Sequence, residues 1–257
     1  MGLRSPGTLA TIWLLLFQSA FAQISSNQFS FDDYLLAPVR VHLLSAADSP
    51  AISTSLAEPD IIRIFGKLNS VWAQAGLHFY LESIIHEESA ETCPPPATQV
   101  EPSKLLRLRP APSMASNLFN VYYLKAMPNN GIYFPQAIFV KDTAALRQVP
   151  GGLDEPIPRV TSHELGHALG LGHRQNTTNL MASGTFGTAL NLEEIARARE
   201  AARGFEWIEP APRLMLKANK LFRARRKDEA ATLYSGLATI PTKDDRVDLA
   251  RKRLSKK

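Results

Sequence analysis

Residues 163–173 read His-Glu-Leu-Gly-His-Ala-Leu-Gly-Leu-Gly-His, and no other stretch constrains the chain as tightly. On a helix, positions i and i+4 share a face, so His163 and His167 offer their imidazoles to one metal. Glu164 lies beside them, within reach of a water on that metal. Gly170 follows three residues after His167 and lets the helix end in a left-handed turn. That turn returns the chain so that His173 supplies a third nitrogen. Three protein ligands leave a fourth position for water, which is the coordination of a catalytic zinc rather than a structural one.

These residues match the long zinc signature of the metzincin metallopeptidases, and the resemblance extends to Asn179-Leu180-Met181. Met181 follows His173 at the short spacing of matrixin-like members and resembles their Met-turn methionine. The order of elements over roughly residues 38–205 is similar too: strand, long helix, strands, active-site helix, Met-turn, C-terminal helix. The resemblance implies an α+β fold, with a mixed sheet over the active-site helix and a substrate cleft between an upper and a smaller lower part. It also implies a zinc-dependent endopeptidase acting on a protein or peptide substrate. His163, His167 and His173 would be the ligands, and Glu164 the base that activates a zinc-bound water. Met181 would support the metal site from below. The sequence departs from the matrixin pattern in having Ala182-Ser183 where a Tyr-Pro pair would form a specificity wall. No tyrosine follows Met181 at once, so the extra tyrosine ligand of astacin- and serralysin-like members is not expected. Cys93 lies between strands, the wrong place for a cysteine switch, and no calcium or second zinc motif transfers.

Ahead of the motif, Arg40–Leu44 is a short strand candidate. The apolar positions Ile61, Ile62, Phe65, Leu68, Val71 and Trp72 recur at three- and four-residue steps and predict a helix over Glu58–Ala75. Pro59 suits its first turn and Gly76 its end. Leu77–Ile85 is a strand expected to place Leu77, Phe79, Leu81 and Ser83 on one face. His42, His78 and His86 have no partner at metal spacing and are read as sheet or surface histidines. The proline-dense stretch Glu87–Met114 is a loop. Phe119–Leu124 is a strand, Pro128–Gly131 a turn, and Ile132–Val140 one or two further strands interrupted by Pro135. The edge strand around Gly131–Phe134 is positioned to pair with an extended substrate. Val149–Pro158 is a loop. Asn191 caps a helix running to Arg203, with Glu193 and Glu194 favouring its positive end.

Pro210 and Pro212 mark a linker to a small all-α tail with helices near Arg213–Arg225, Asp228–Thr239 and Lys243–Leu254. Ala218, Leu221, Ala230, Tyr234 and Leu237, with Pro241 closing the second helix, resemble one tetratricopeptide-type hairpin. One hairpin cannot bury its apolar face alone, so it must pack on the catalytic body, another chain or a partner. Residues 209–257 carry a net charge of +8 and the remainder −3, so the overall +5 belongs to the tail. A basic tail suits an acidic partner or polyanion. No specific nucleic-acid motif is present.

At the other end, Arg4 precedes the apolar run Leu9–Phe17, and Ala20-Phe21-Ala22 follows with small–x–small spacing. This is the pattern of a secretory signal cut before Gln23, and no later apolar run is long enough to span a membrane. Cys93 is the one cysteine, so no internal disulfide forms and the zinc site is not built from cysteine. The expected organisation is a signal over 1–22, a zinc metallopeptidase domain over 23–208 and a basic helical tail over 209–257. The expected localisation is outside the cytosol, periplasmic or extracellular. Two other readings remain open. The same zinc chemistry serves hydrolysis of a non-protein amide. An adaptor in which the tail is the working part has no chemical need for the intact Glu164.

Overall fold

The run Leu35-Leu36-Ala37-Pro38-Val39 becomes part of a central strand buried on both faces. In the computed structural model, which describes residues 29–91 and 102–255, β1 spans Leu35–Ser45. α1 (Glu58–Trp72) follows, then β2 (Leu77–Glu88), the short α2 (Pro102–Leu105), β3 (Phe119–Leu124), β4 (Gly131–Phe134) and β5 (Ala137–Lys141). The motif helix α3 is Pro156–Ala168 and α4 is Leu192–Gly204. A two-residue β6 (Glu209–Pro210) then leads into α5 (Ala211–Arg223), α6 (Lys227–Ala238) and α7 (Asp245–Leu254). The expected signal segment and Cys93 lie outside the described residues.

The sheet order is β2-β1-β3-β5-β4, parallel except for β4, which pairs antiparallel with β5 at the edge. β1 starts earlier than its alternation suggests, because both of its faces are covered and a doubly buried strand shows no alternation. Leu35, Ala37, Val39, Val41 and Leu43 face the main core. Leu36 faces a second apolar cluster and Leu44 a third. Pro38 is tolerated inside this strand because β1 pairs with β6 at Leu35 and Leu36 and with β3 from Val39 onward. The missing donor therefore falls in the gap between the two ladders.

β2 differs from its expected pattern. The register of β1 against β2 slips between Val39↔Leu81 and Arg40↔Ser83, leaving Glu82 as an extra residue. This bulge moves the inward face from Ser83 to Ile84, which packs on the main core. Glu82 accepts hydrogen bonds from Arg40 at 2.9 Å on both carboxylate oxygens. Pro135 sits in the two-residue turn between β4 and β5 rather than within a strand, so Ile132–Val140 resolves into a hairpin.

The face holding the main core is covered by α1, α3 and α4, through Phe65, Trp72, Leu165, Ile195 and Ala198 among others. The opposite face is divided between two coverings. Near the carboxyl ends of the central strands, Leu105 and Leu108 cover Leu44, Tyr122 and Phe139. Near their amino ends, α5–α7 bury Leu214, Ala218, Tyr234 and Leu237 against Phe31, Leu36 and Tyr80. The expected linker at Pro210 and Pro212 is corrected by this packing. Glu209–Pro210 pairs with β1, and Pro212 sits in the first turn of α5, where a missing N–H costs nothing. Of the three remaining histidines, His42 and His78 are buried and His86 is exposed, and among the described residues none joins a group of metal-ligating residues.

Candidate metal centre

α3 begins at Pro156, earlier than expected, with Pro156 and Pro158 in its first turn. It is buried on nearly all sides. Thr161 bonds Tyr123 of β3 at 2.9 Å, and Ile157, Val160 and Leu165 lie in the main core. The helix ends in a Schellman turn. Gly170 adopts φ 77°, its N–H bonds the His167 carbonyl at 3.0 Å, and the Leu171 N–H bonds the Gly166 carbonyl at 2.9 Å. The reversal carries His173 back toward the helix.

Among the described residues, one group of histidines, cysteines or carboxylates has metal-ligating geometry: His163, His167 and His173, with ligand atoms all within 4.8 Å of one another. His163 Nδ1 donates to the Leu180 carbonyl at 2.8 Å, and His167 Nδ1 donates to the Leu171 carbonyl at 2.9 Å. A carbonyl only accepts, so each Nδ1 carries the proton and each Nε2 presents a bare lone pair. The Nε2 atoms of His163 and His167, and of His167 and His173, stand 3.1 Å apart. Two nitrogens about 2.0–2.1 Å from one tetrahedral zinc would be separated by roughly 3.3 Å, so the set fits that ion. Burial pushes the His163 imidazole down to about 3 and also lowers His167, which keeps both neutral and able to ligate.

Glu164, next to His163 on α3, is buried, and burial pushes its carboxyl up to about 8. A cation held by the imidazoles would favour the carboxylate and draw that value down. The edge strand comes close: a Cβ on Gly131 would lie 2.6 Å from Glu164 Oε1 and 2.6 Å from Val160 Cγ1. Only glycine lets β4 start directly over the carboxylate.

The loop after His173 lies under the helix. A Cβ on Gly166 would meet Met181 Sδ at 2.6 Å, so Met181 packs against the helix between His163 and His167. The Met181 carbonyl accepts from Arg174 N at 3.0 Å, and Asn179 Oδ1 accepts from Met181 N at 2.7 Å. Two further groups hold this loop, and sequence reasoning had not singled them out for it. Arg159, 2% exposed, donates to the carbonyls of Leu180 at 2.7 Å, Gly187 at 3.2 Å and Ala182. Its burial brings the guanidinium down to about 10. Glu194, expected to serve its helix N-terminus, does complete the capping box with Asn191. Its buried carboxylate also accepts from Asn179 Nδ2 at 2.8 Å and Arg174 Nε at 2.7 Å. The cap at Asn191 was visible in sequence, whereas nothing in sequence marked Arg159, since a lone helical arginine ordinarily faces water.

No family model matches the chain, and no curated protein matches it. Among solved structures it is similar to archaemetzincin from Methanopyrus kandleri at 12% identity, covering 66% of this chain and 97% of that one, with a TM-score of 0.43. It is similar to metalloproteinase-II from Bacteroides fragilis at 12% identity, covering 65% of this chain and 53% of that one, with a TM-score of 0.43. A zinc-dependent peptidase from Methanocorpusculum labreanum aligns at 15% identity over 63% of this chain and 98% of that one, with a TM-score of 0.33. The likeness is a partial one of backbone shape, and the chemistry of the site rests on this chain's own residues.

Proposed function

We propose that the chain is a secreted zinc-dependent endopeptidase, with His163, His167 and His173 as zinc ligands and Glu164 as general base and acid. The observation that carries this reading is the pair of Nδ1–H bonds to backbone carbonyls, which leaves Nε2 lone pairs converging, with the buried Glu164 next to His163 on the same helix. Zinc, when bound, supplies Lewis acidity for a scissile carbonyl and for an attacking water. Glu164 takes a proton from the attacking water and returns it to the leaving amine. The free edge of β4 pairs with an extended peptide, and Gly131 lets that peptide approach Glu164. Met181, Arg159 and Glu194 keep the loop under the ligands rigid. Secretion is supported by the leading apolar segment and Ala20-Phe21-Ala22. No helix among the described residues is long and apolar enough to cross a membrane. The +8 charge of residues 209–257 supports a tail that orients the enzyme toward an acidic partner or polyanion.

The test is metal analysis coupled to a peptide-library digest of the purified full-length protein. About one zinc per chain is expected, together with cleavage that a chelator abolishes and added zinc restores. His167→Ala should lose most of the metal. Full zinc occupancy in that variant would overturn the ligand assignment, and a zinc-loaded protein that cuts no peptide in the library would overturn the peptidase reading in favour of another amide substrate.

A further inference from the structure

A cavity of about 450 Å³ lies beside the site and shares none of its histidines. Its walls include Phe119, Tyr133, Ile138, Phe205 and Trp207. Phe119 and Ile138 belong to the main core, and Tyr133, Phe205 and Trp207 pack against it. Phe134 and Ala137, which also line it, lie with the cluster on the opposite face, so the cavity sits at the end of the sheet beside the β4–β5 turn. One wall is an aromatic cluster: the Phe119 and Trp207 rings meet edge-on at 4.8 Å, and Phe205 lies 4.8 Å from Trp207. Among the described residues no Lys, Arg, Asp or Glu lines it.

Its position relative to Glu164 follows from β4. That strand begins at Gly131, against Glu164, and ends at the cavity with Tyr133, Phe134 and the turn residue Pro135. At about 3.3 Å per residue, Tyr133–Pro135 lie roughly 7–13 Å along the edge from Gly131. Among the described residues β4 pairs only with β5, so its outer edge is open to a further strand. A peptide paired there steps at the same rise, so its residue facing the cavity lies two to four positions from the bond at Glu164. Side chains alternate along that peptide, and one of those positions points to the α3 face, as Tyr133 does.

Resting on the peptidase reading above, we infer that this cavity is a specificity pocket for a bulky aromatic side chain of the substrate, two to four residues from the scissile bond. A neutral aromatic residue matches the uncharged walls and the edge-on ring packing that Phe119, Phe205 and Trp207 already make. A charged side chain would be desolvated there without a partner.

The experiment uses full-length zinc-loaded enzyme and a set of peptides sharing one cleavage site. Each carries Phe or Trp, Ala, or Asp at the second to fourth residue on either side of the bond. One position should favour the aromatic peptide over its alanine counterpart in kcat/KM by about tenfold or more, with aspartate lowest. In Trp207→Ala, and separately in Ser116→Trp, which crowds the cavity from an exposed wall position, that ratio should fall toward one. The ratio is taken within a single preparation, so partial misfolding of a variant cancels. Equal cleavage of aromatic, alanine and aspartate peptides by the wild type, or an unchanged ratio in both variants, would overturn the pocket and leave the peptidase reading standing. Failure of the wild type to cut any peptide would overturn the peptidase reading itself, and the pocket with it.

Discussion

Met181 sits where a side chain on Gly166 would otherwise be, with its sulfur 2.6 Å from the position of the missing Cβ. Gly166 lies between two of the three imidazoles on α3, so the contact sets the height of the helix over the loop that receives the His163 Nδ1–H. Gly166→Ala raises helix propensity by about 1 kcal/mol but overpacks a fully buried methionine, at a cost of about 1–3 kcal/mol. The net is a loss of about 0–2 kcal/mol in stability, and the shift of the helix displaces the ligands. Zinc affinity is expected to fall about tenfold or more, as read by competition with a chromophoric chelator on folded protein. An unchanged affinity would mean that Met181 does not position the ligands.

Glu164→Gln keeps the shape of the side chain and all three imidazoles. It should retain zinc and lose about 100-fold to 10,000-fold in kcat. Wild-type turnover in this variant would remove Glu164 from the proton-transfer role.

The same substitution makes a prediction about pH in the metal-free protein. The Glu164 carboxyl is raised from 4.5 to about 8 by burial, so the native state holds a proton that the unfolded chain releases. That contribution is fully present below about pH 4.5 and is lost as pH rises toward 8. Metal-free wild type should therefore lose stability relative to metal-free Glu164→Gln across this window, measured by denaturant unfolding at several pH values. A stability difference independent of pH would show that the carboxylate is not desolvated.

Arg159 satisfies three carbonyls of the loop beneath the metal centre. Replacing it with Leu or Met leaves the Gly187 and Ala182 carbonyls without this donor and the Leu180 carbonyl with His163 Nδ1–H alone, and the expected loss is about 3 kcal/mol in unfolding free energy. Arg159→Lys should recover little, since an ammonium cannot spread its donors as a planar guanidinium does. Stability within about 0.5 kcal/mol of wild type in Arg159→Met would contradict this role.

Ending the chain near Trp207 removes α5–α7 and uncovers Phe31, Leu36 and Tyr80. The truncated protein should keep zinc and the cleavage of short peptides, because no residue of the metal centre lies in the tail. It should lose solubility through the newly exposed apolar patch. Its binding to a heparin column should weaken, and that of the full chain should fall steeply with salt. Loss of zinc from a still-folded truncated chain would show that the tail belongs to the site.

The sequence by itself determined the three imidazoles, the neighbouring carboxylate and the left-handed turn at Gly170, because helical periodicity and a local backbone constraint decide them within eleven residues. It also determined the extent of β3, the start of α1 and Asn191 as the cap of α4, since each is a short-range pattern. Tertiary structure alone decided what surrounds them. The bulge at Glu82 arises from the pairing of β2 with β1 and turns Ile84 inward in place of Ser83. The role of Arg159 arises because a loop some twenty residues later brings its carbonyls to the helix. Pro210 became part of a strand pair because β1 leaves Leu35 and Leu36 free of β3 at that end. The cavity at Phe119, Phe205 and Trp207 is assembled from segments more than 80 residues apart. Long-range packing carries no local period, so these features become visible only when the sheet brings the segments together.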